Sequence, residues 1–446
     1  MTDATTAGTP LERARAVVGS YLSPVGTRDA PLDECDGAFA SRAVHADHAL
    51  PRDTTSTRDG YAVRAADTAN AAPDRPVRLR VLEQVATAGA ASGAPSGASS
   101  SERQLGVREA MRVMTGALLP AGADAVVPFE ELEDAPADTL IVARHPVTSG
   151  RYLRPAASEV SMGEPVVARG EQIGPAVSGF AAALGHATLP VYLRPRATVI
   201  AIGDELLEPG APAARGRLYN DGARMLASML RDLGLEVTIS PPIADTRSAI
   251  RRSLERAAAD RYDLLLTTGG TGSGDHDLIR SVLSELAGRP LVPNLALRPG
   301  GGTIFTKLHT TPCFALPGTP GAAIMVFELL VRPAARILLG SATPENPKVV
   351  ATLADPLERG GSRSRAAASG VVRPRRMQLY TANAELRARP VPRAHLYREL
   401  RESNAVWLPK PGAAVPSVGD SIELELSGSI PAAPEPVANP SEKEQQ

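Results

Sequence analysis

The chain has 446 residues with 48 basic against 49 acidic side chains and a formal net charge of −1, a length that implies roughly two to four domains rather than one core. Interspersed charge leaves no chain-wide basic footprint for DNA or RNA, and no run of about 18 apolar residues is present to span a bilayer. MTDATTAG at the N-terminus has neither the basic nor the apolar part of a secretory signal, so the expected compartment is the cytoplasm; Cys35 and Cys313, far apart, suggest no disulfide framework, redox pair or thiolate zinc site.

TPLERARAVVGSYL predicts a first helix, with Thr9 as N-cap, Pro10 at the first helical position and Glu12 completing a capping box. From Cys35 to Val142 short alternating runs such as GYAVRA, VRLRVLEQV and GADAVVPFE, broken by Gly and Pro, read as β-rich. AGAASGAPSGASS, at 88–100, reads as a flexible insertion. QIGPAVSGFAAALGHATLPVYLRPR follows as a helix and a strand.

From Arg196 strands and helices alternate: ATVIAIG, then DGARMLASMLRDLG with Met225, Leu226, Met229, Leu230 and Leu233 at helical spacing and Gly234 as its stop. LEVTISP, SAIRRSLERAAAD, YDLLLTTGG and HDLIRSVLSELAG continue the alternation, which predicts a mainly parallel sheet covered on both faces as far as Leu339. VVATLADPLE, VVRPRRMQLYTA and NAVWLPKPGAAVPSVGDSIELEL then suggest a small β-barrel or sandwich, with Trp407 and Leu408 in its core. The expected fold is therefore α/β multidomain: a discontinuous helical and linker domain (9–34 and 147–186), a β-rich insertion (35–146), a three-layer α/β domain (187–340), a C-terminal barrel (341–430) and a disordered tail (431–446).

Ligands of open α/β sheets sit at the carboxyl ends of the strands. There the sequence places Asp204-Glu205, the loop Gly269-Gly270-Thr271-Gly272-Ser273-Gly274 with Asp275 and Asp277, and Pro317-Gly318-Thr319-Pro320-Gly321 entering a helix. Glycines let backbone N–H groups approach an anion, and a helix start adds donors, so a phosphorylated ligand is implied; plain turn chemistry is the rival reading of each loop. Glu205, Asp245 and Asp277 follow successive strands, and carboxylates beside phosphate call for a hard cation such as Mg²⁺; Asp245 also reads as an N-cap. From the residues alone Asp59-Gly60 and Thr115-Gly116 read first as turn dipeptides, and His276 as a solvated loop histidine ahead of a ligand or base.

In their order, RDGYAVRA, VMTGALLPAGADAVV, PRATVIAIGDELLEPG, TTGGTGSGDHD, LALRPGG and ALPGTPGAA resemble the MoeA family, the molybdopterin molybdenumtransferases that include the E domain of gephyrin, from about Leu11 to Leu426. The resemblance implies insertion of molybdenum from molybdate into adenylylated molybdopterin with release of AMP, assisted by a divalent cation, in a homodimer whose cleft joins the central domain of one subunit to the β-rich domain of the other. It implies catalytic roles for Asp59, Thr115 and Glu205, and a cation or oxyanion cluster of Glu205, Asp245 and Asp277 with Glu159, which stands at the aspartate of the family's GED motif. Phosphate and pterin would be held by Gly269, Gly270, Thr271, Gly272, Ser273 and Gly274, by Pro317, Gly318, Thr319 and Pro320, and by Arg298.

Departures accompany the likeness. TGGTGSG stands for SGGVSVG and looks more like the adenylyltransferase MogA and the gephyrin G domain; Arg298-Pro299-Gly300-Gly301-Gly302 stands for KPGKP; Asn294 occupies a further lysine position; and Ser56-Thr57-Arg58 precedes Asp59 in place of a SAM-like triplet. Four lysines stand among the 48 basic residues, so Arg298 is in keeping with the chain's composition, whereas Gly301 and Asn294 remove charge expected to meet an anionic substrate. Two other functions follow from these departures: adenylyl transfer to molybdopterin, or a non-catalytic carrier or regulator that binds molybdopterin or a molybdoenzyme; for the leading reading the expected protein contacts are an adenylyltransferase partner or molybdoenzymes.

Overall fold

The computed structural model describes residues 8–82, 104–132, 140–270, 278–357, 370–392 and 396–428. The expected 88–100 insertion, His276, Asp277 and the 431–446 tail lie outside the described residues. Contacts divide the chain into two compact units: one of 1–42, 169–174 and 188–446, the other of 43–168 and 175–187.

The larger unit is built on a five-stranded sheet in the order Glu236–Ile239, Arg196–Ala201, Leu264–Thr268, Thr311–Leu316, Ile304–Leu308. The first four strands are parallel, with Val199 opposite Ile239 and Leu266, and Leu266 opposite Phe314; Ile304–Leu308 closes the edge antiparallel. Ala197–Ala201, Leu264–Thr268 and Thr311–Leu316 are buried throughout, which explains their unbroken apolar runs, since a sheet covered on both sides has no solvent face to alternate with. Alternate residues serve different layers. Val199, Leu264, Leu266 and Phe314 pack with Leu226, Leu230, Val326 and Phe327, whereas Ile200, Leu265 and Cys313 pack with Ile250, Leu254, Ile279 and Leu283. The helix Asp221–Asp232 therefore covers one face, and Arg247–Ala259 with Leu278–Ala287 the other. Gly234 stops the first of these helices with φ +100°, the left-handed position that favours glycine.

Two capping expectations are corrected. The first helix spans Leu11–Ser20 with Pro10 as its N-cap and no side-chain cap; Thr9 is drawn instead into extended pairing, its N–H donating to the Asn294 carbonyl while its carbonyl accepts from Ala296. Ahead of Arg247–Ala259, Thr246 rather than Asp245 is the N-cap, its side chain accepting from Ala249 N–H.

The helix that follows the last central strand runs from Pro320 to Leu339 with a π-helical turn at Phe327–Val331. Pro333 has no N–H to give the Leu329 carbonyl, and a side chain takes its place: Arg15 Nε donates to that oxygen at 2.7 Å. Asn346 Nδ2 donates to the Glu328 carbonyl at 2.8 Å. Arg15 then forks onto Glu425 at 2.8 and 2.7 Å, so one guanidinium joins the first helix, the π turn and the C-terminal barrel.

That barrel is closed by five strands in the order Lys348–Leu353, Glu385–Pro390, Arg375–Ala382, Ala405–Trp407, Ser421–Leu426, filled by Leu353, Met377, Leu379, Ile422 and Leu424. Trp407 packs against this core as expected. Leu408 does not; it packs against the α/β core, because the strand ends at Trp407 and the alternation lapses.

The smaller unit holds a mixed sheet in the order Ala125–Pro128, Gly60–Val63, Glu109–Val113, Val77–Leu82, Leu140–Ala143. Gly60–Val63 is an interior strand buried on both faces, Tyr61 and Val63 packing on one side and Ala62 with Val126 on the other. A Cβ on Gly60 would stand 2.1 Å from the Val127 carbonyl oxygen, so this glycine serves close strand approach rather than a turn. Gly116, at φ +82° in open space, is a true turn glycine.

Candidate functional site

In the larger unit the loops at the carboxyl end of the sheet converge. Gly269 and Gly270 continue Leu264–Thr268 at φ +94° and +68°. A Cβ on Gly269 would lie 2.0 Å from the Ile202 carbonyl oxygen, and one on Gly318 would lie 3.1 Å from Gly269 Cα. The two glycine loops thus touch, backbone to backbone. Thr268 Oγ1 fixes them by donating to the Pro317 carbonyl at 2.9 Å. Thr319 is the N-cap residue of the helix that Pro320 opens, and its side chain makes no cap bond. Such glycine-lined backbone at a helix start is suited to anionic groups. Thr271, Gly272, Ser273 and Gly274 lie outside the described residues. Arg298 is exposed, its N–H donating to the Val372 carbonyl, while the Gly301 carbonyl accepts from Leu295 N–H across the loop.

Asp204 and Asp245 meet at the ends of neighbouring strands, Asp245 through its backbone, and Glu205 follows Asp204 in the chain. Ile202 bridges Ile243, and Asp245 N–H donates to Asp204 Oδ1 at 3.2 Å. The Glu205 carboxylate folds back over Gly203, 2.7–2.9 Å from where a Cβ would stand. This donor set is carboxylate oxygen only, which suits a hard divalent cation better than a soft one. Among the described residues no group of three metal-capable side chains forms; Asp277, the expected third, lies outside them. Glu159 belongs to the smaller unit, where it is half exposed and pairs with Arg154 at 3.1 Å.

Three residues at this end of the sheet carried no functional signal in the sequence. Asn220 caps Asp221–Asp232 through Oδ1, is 2% exposed, and leaves Nδ2 buried without a hydrogen-bond partner; the YNDG that precedes the apolar helix was its only mark. From the barrel, Tyr397 OH donates to Asp221 Oδ2 at 2.5 Å and Arg376 Nη2 to the Gly321 carbonyl at 3.4 Å. Burial holds the Arg376 guanidinium below its ordinary value. No local pattern signals such contacts, which join residues 176 and 55 positions apart.

In the smaller unit Asp59 stands at the head of Gly60–Val63, where Phe129 N–H ties its carbonyl at 3.2 Å. Thr115, 56 residues away, donates to Asp59 Oδ1 through its N–H at 2.6 Å and its hydroxyl at 2.8 Å. The structure thus joins the two residues that the sequence singled out as DG and TG. Those bonds, the backbone one first, and the Arg112 charge hold the Asp59 carboxyl below the usual range. A depressed folded value means that Asp59 contributes stability above the ordinary carboxylate pKa of about 4, a contribution lost as pH falls through the folded value. Thr115→Ala keeps the larger, backbone donor and removes the hydroxyl. Carboxyl-carbon NMR of this variant should show Asp59 titrating higher than in the parent chain yet still below an ordinary aspartate; an unmoved titration would mean that the hydroxyl bond contributes nothing.

The family description "MoeA N-terminal region (domain I and II)" matches residues 9–185, and "Probable molybdopterin binding domain" matches 198–336. "Molybdopterin molybdenumtransferase 2" of Mycobacterium tuberculosis is 35% identical over 348 residues, 77% of this chain and 83% of that protein. The "Molybdopterin molybdenumtransferase" of Bacillus subtilis is 30% identical over 339 residues, 76% of each. The crystal structure of the molybdopterin biosynthesis MoeA protein from Pyrococcus horikosii superposes with a TM-score of 0.78 at 26% identity, covering 95% of this chain and 100% of that one. With two matched regions in the family's order and a relative at 35% identity covered over most of its length, the chain belongs to the MoeA family of molybdopterin molybdenumtransferases.

Proposed function

We propose that this protein is a transferase of molybdenum cofactor biosynthesis that inserts molybdenum from molybdate into adenylylated molybdopterin and releases AMP. The observation that carries the reading is that a MoeA-family chain holds two built features, one in each unit. One is an aspartate whose Oδ1 is saturated by Thr115. The other is the touching pair of glycine loops at the carboxyl end of the α/β sheet. In this reading Gly269, Gly270 and the Pro317–Pro320 backbone bind the substrate's phosphate groups, with Arg298 adding positive charge near the loop it opens. Thr115 orients Asp59, whose charged carboxylate receives a proton during ligand exchange at the substrate sulfurs. Glu205 and Asp245, with Asp277, are the residues that would hold Mg²⁺, which when bound offsets phosphate charge. Glu159 is kept as a candidate fourth carboxylate. The working form in this reading is a cytoplasmic homodimer that receives its substrate from an adenylyltransferase and passes the product to a molybdoenzyme.

Glu205→Gln tests the metal assignment while keeping side-chain volume. The Mg²⁺ concentration for half-maximal AMP release should rise by about tenfold or more, the scale on which partners of a metal site act. An unaltered Mg²⁺ titration would remove Glu205 from the ligand set.

A further inference from the structure

The acid in the first turn of the helix Asp221–Asp232 is Asp221 itself. A carboxylate there suits the helix dipole, yet it stands next to the loops that the proposed reaction assigns to phosphate. A Cβ on Gly222 would lie 3.6 Å from Pro320 Cγ and 3.9 Å from Thr268 Oγ1, the hydroxyl that holds the Pro317 carbonyl. An anion at those loops therefore approaches a like charge one residue away from this contact. The barrel answers that charge. Its helix Leu396–Glu402 has no buried residue and reaches both helix starts: Leu396 Cδ1 would stand 3.1 Å from a Cβ on Gly321, and Tyr397 OH donates to Asp221 Oδ2 at 2.5 Å. Tyr397 is 52% exposed, so its hydroxyl meets Asp221 from the rim of the barrel and not from a packed core. The carboxylate, through that bond first, holds the Tyr397 hydroxyl above its ordinary value, which keeps it a donor across the neutral range.

We propose that Tyr397 is a positioning residue for anion binding at the glycine loops: by donating to Asp221 it holds that carboxylate against the barrel helix and screens its charge from the substrate's phosphate groups. This inference rests on the reading of those loops as the phosphate site. A charge-assisted bond of this kind fixes the direction of the carboxylate as well as occupying one of its oxygens. Without the hydroxyl the Asp221 side chain is free to turn, and its charge opposes a bound phosphate through water, at separations where one unit charge changes the affinity for another by roughly fivefold. The sequence carries no mark of the arrangement, since Tyr397 and Asp221 lie 176 positions apart.

The test uses the full chain as Tyr397→Phe, Asp221→Asn and the double variant, with melting curves to confirm folding. Equilibrium dialysis with AMP, whose phosphate the loops would hold, reads binding without turnover. Tyr397→Phe should raise the AMP Kd about fivefold, whereas in the Asp221→Asn background the same substitution should change it by less than about twofold, because the charge that the hydroxyl screens is gone. In steady-state AMP release, Tyr397→Phe should raise the pterin KM in the same proportion with kcat within about twofold. An AMP Kd unmoved by Tyr397→Phe would overturn the proposal. So would an equal loss with and without Asp221→Asn, which would make the bond a fastening of the barrel alone, or a parent chain that retains no AMP. The two readings fail separately. If the parent chain releases no AMP from the adenylylated pterin yet the double-variant pattern holds in dialysis, the reaction assignment falls and Tyr397 keeps its role; molybdate-dependent release with an unmoved Kd leaves the reaction and removes Tyr397.

Discussion

Asp59→Asn should lower the turnover of AMP release by about 10²- to 10³-fold, the range in which a positioned acid–base group acts, while leaving the melting transition close to that of the parent chain. The substitution is nearly isosteric. Asparagine retains an Oδ1 to accept from the Thr115 N–H and hydroxyl, now 2.6 and 2.8 Å from the carboxylate, so the side chain should hold its place at the head of Gly60–Val63. What it loses is the negative charge and the capacity to take a proton. Because the carboxyl is held below its usual range, the parent side chain is charged throughout the neutral region, and Asn removes that charge outright. The KM for the pterin should change less than kcat, since an interaction made mainly in the transition state lowers turnover rather than substrate affinity. Turnover equal to that of the parent chain would end the catalytic role assigned to Asp59.

The largest effect on stability should come from Glu425→Ala. Glu425 sits on the barrel strand Ser421–Leu426, where the alternation of Ile422 and Leu424 inward is interrupted by a charged residue that is 6% exposed. Its carboxylate takes both arms of the Arg15 fork and a 3.3 Å bond from Asn346 Nδ2. Truncation leaves the Arg15 guanidinium without its counter-charge while Nε remains bound to the Leu329 carbonyl of the π turn. Removing one partner of a buried pair costs about 3–5 kcal/mol, and the lower end applies here because the Arg15 side chain keeps 21% of its surface exposed. The double variant Arg15→Met, Glu425→Leu should lose markedly less, because no charge is then stranded. Trp407 is the chain's single tryptophan and lies in this barrel. Its fluorescence during urea denaturation therefore reports on the part of the chain concerned. A single variant as stable as the parent would show that the ion pair contributes nothing net.

What the sequence disclosed followed local periodicity and chain order. ATVIAIG and YDLLLTT were readable as covered strands because both faces are buried, and Leu226 and Leu230 fell on the core side of their helix because their spacing matches its turn. The barrel was readable from alternation in SIELEL up to Glu425, whose burial depends on Arg15, 410 residues away. Caps were the weak point. Thr9 and Asp245 both have side chains able to cap, but pairing with 294–296 claimed the first, and the second stands one residue too early. At the site, the glycine loops and the acidic residues after the strands were visible one by one. Their joining was not: the Asp59–Thr115 bonds, the contact of Gly269 with Gly318, the buried Asn220 amide and the reach of Tyr397 and Arg376 from the barrel all depend on tertiary placement that no local window contains. Gly60 shows the converse error of reading a dipeptide by its commonest use. Its partner is the Val127 carbonyl of a neighbouring strand, and its φ is not left-handed.

The most direct test of the central claim is AMP release by the purified full chain from adenylylated molybdopterin, with and without molybdate, at fixed Mg²⁺ and without ATP. The account predicts release that depends on molybdate, with molybdenum recovered in the pterin product. Tight retention of the adenylylated pterin with no release in the presence of molybdate, or formation of adenylylated pterin only when ATP is supplied, would contradict it.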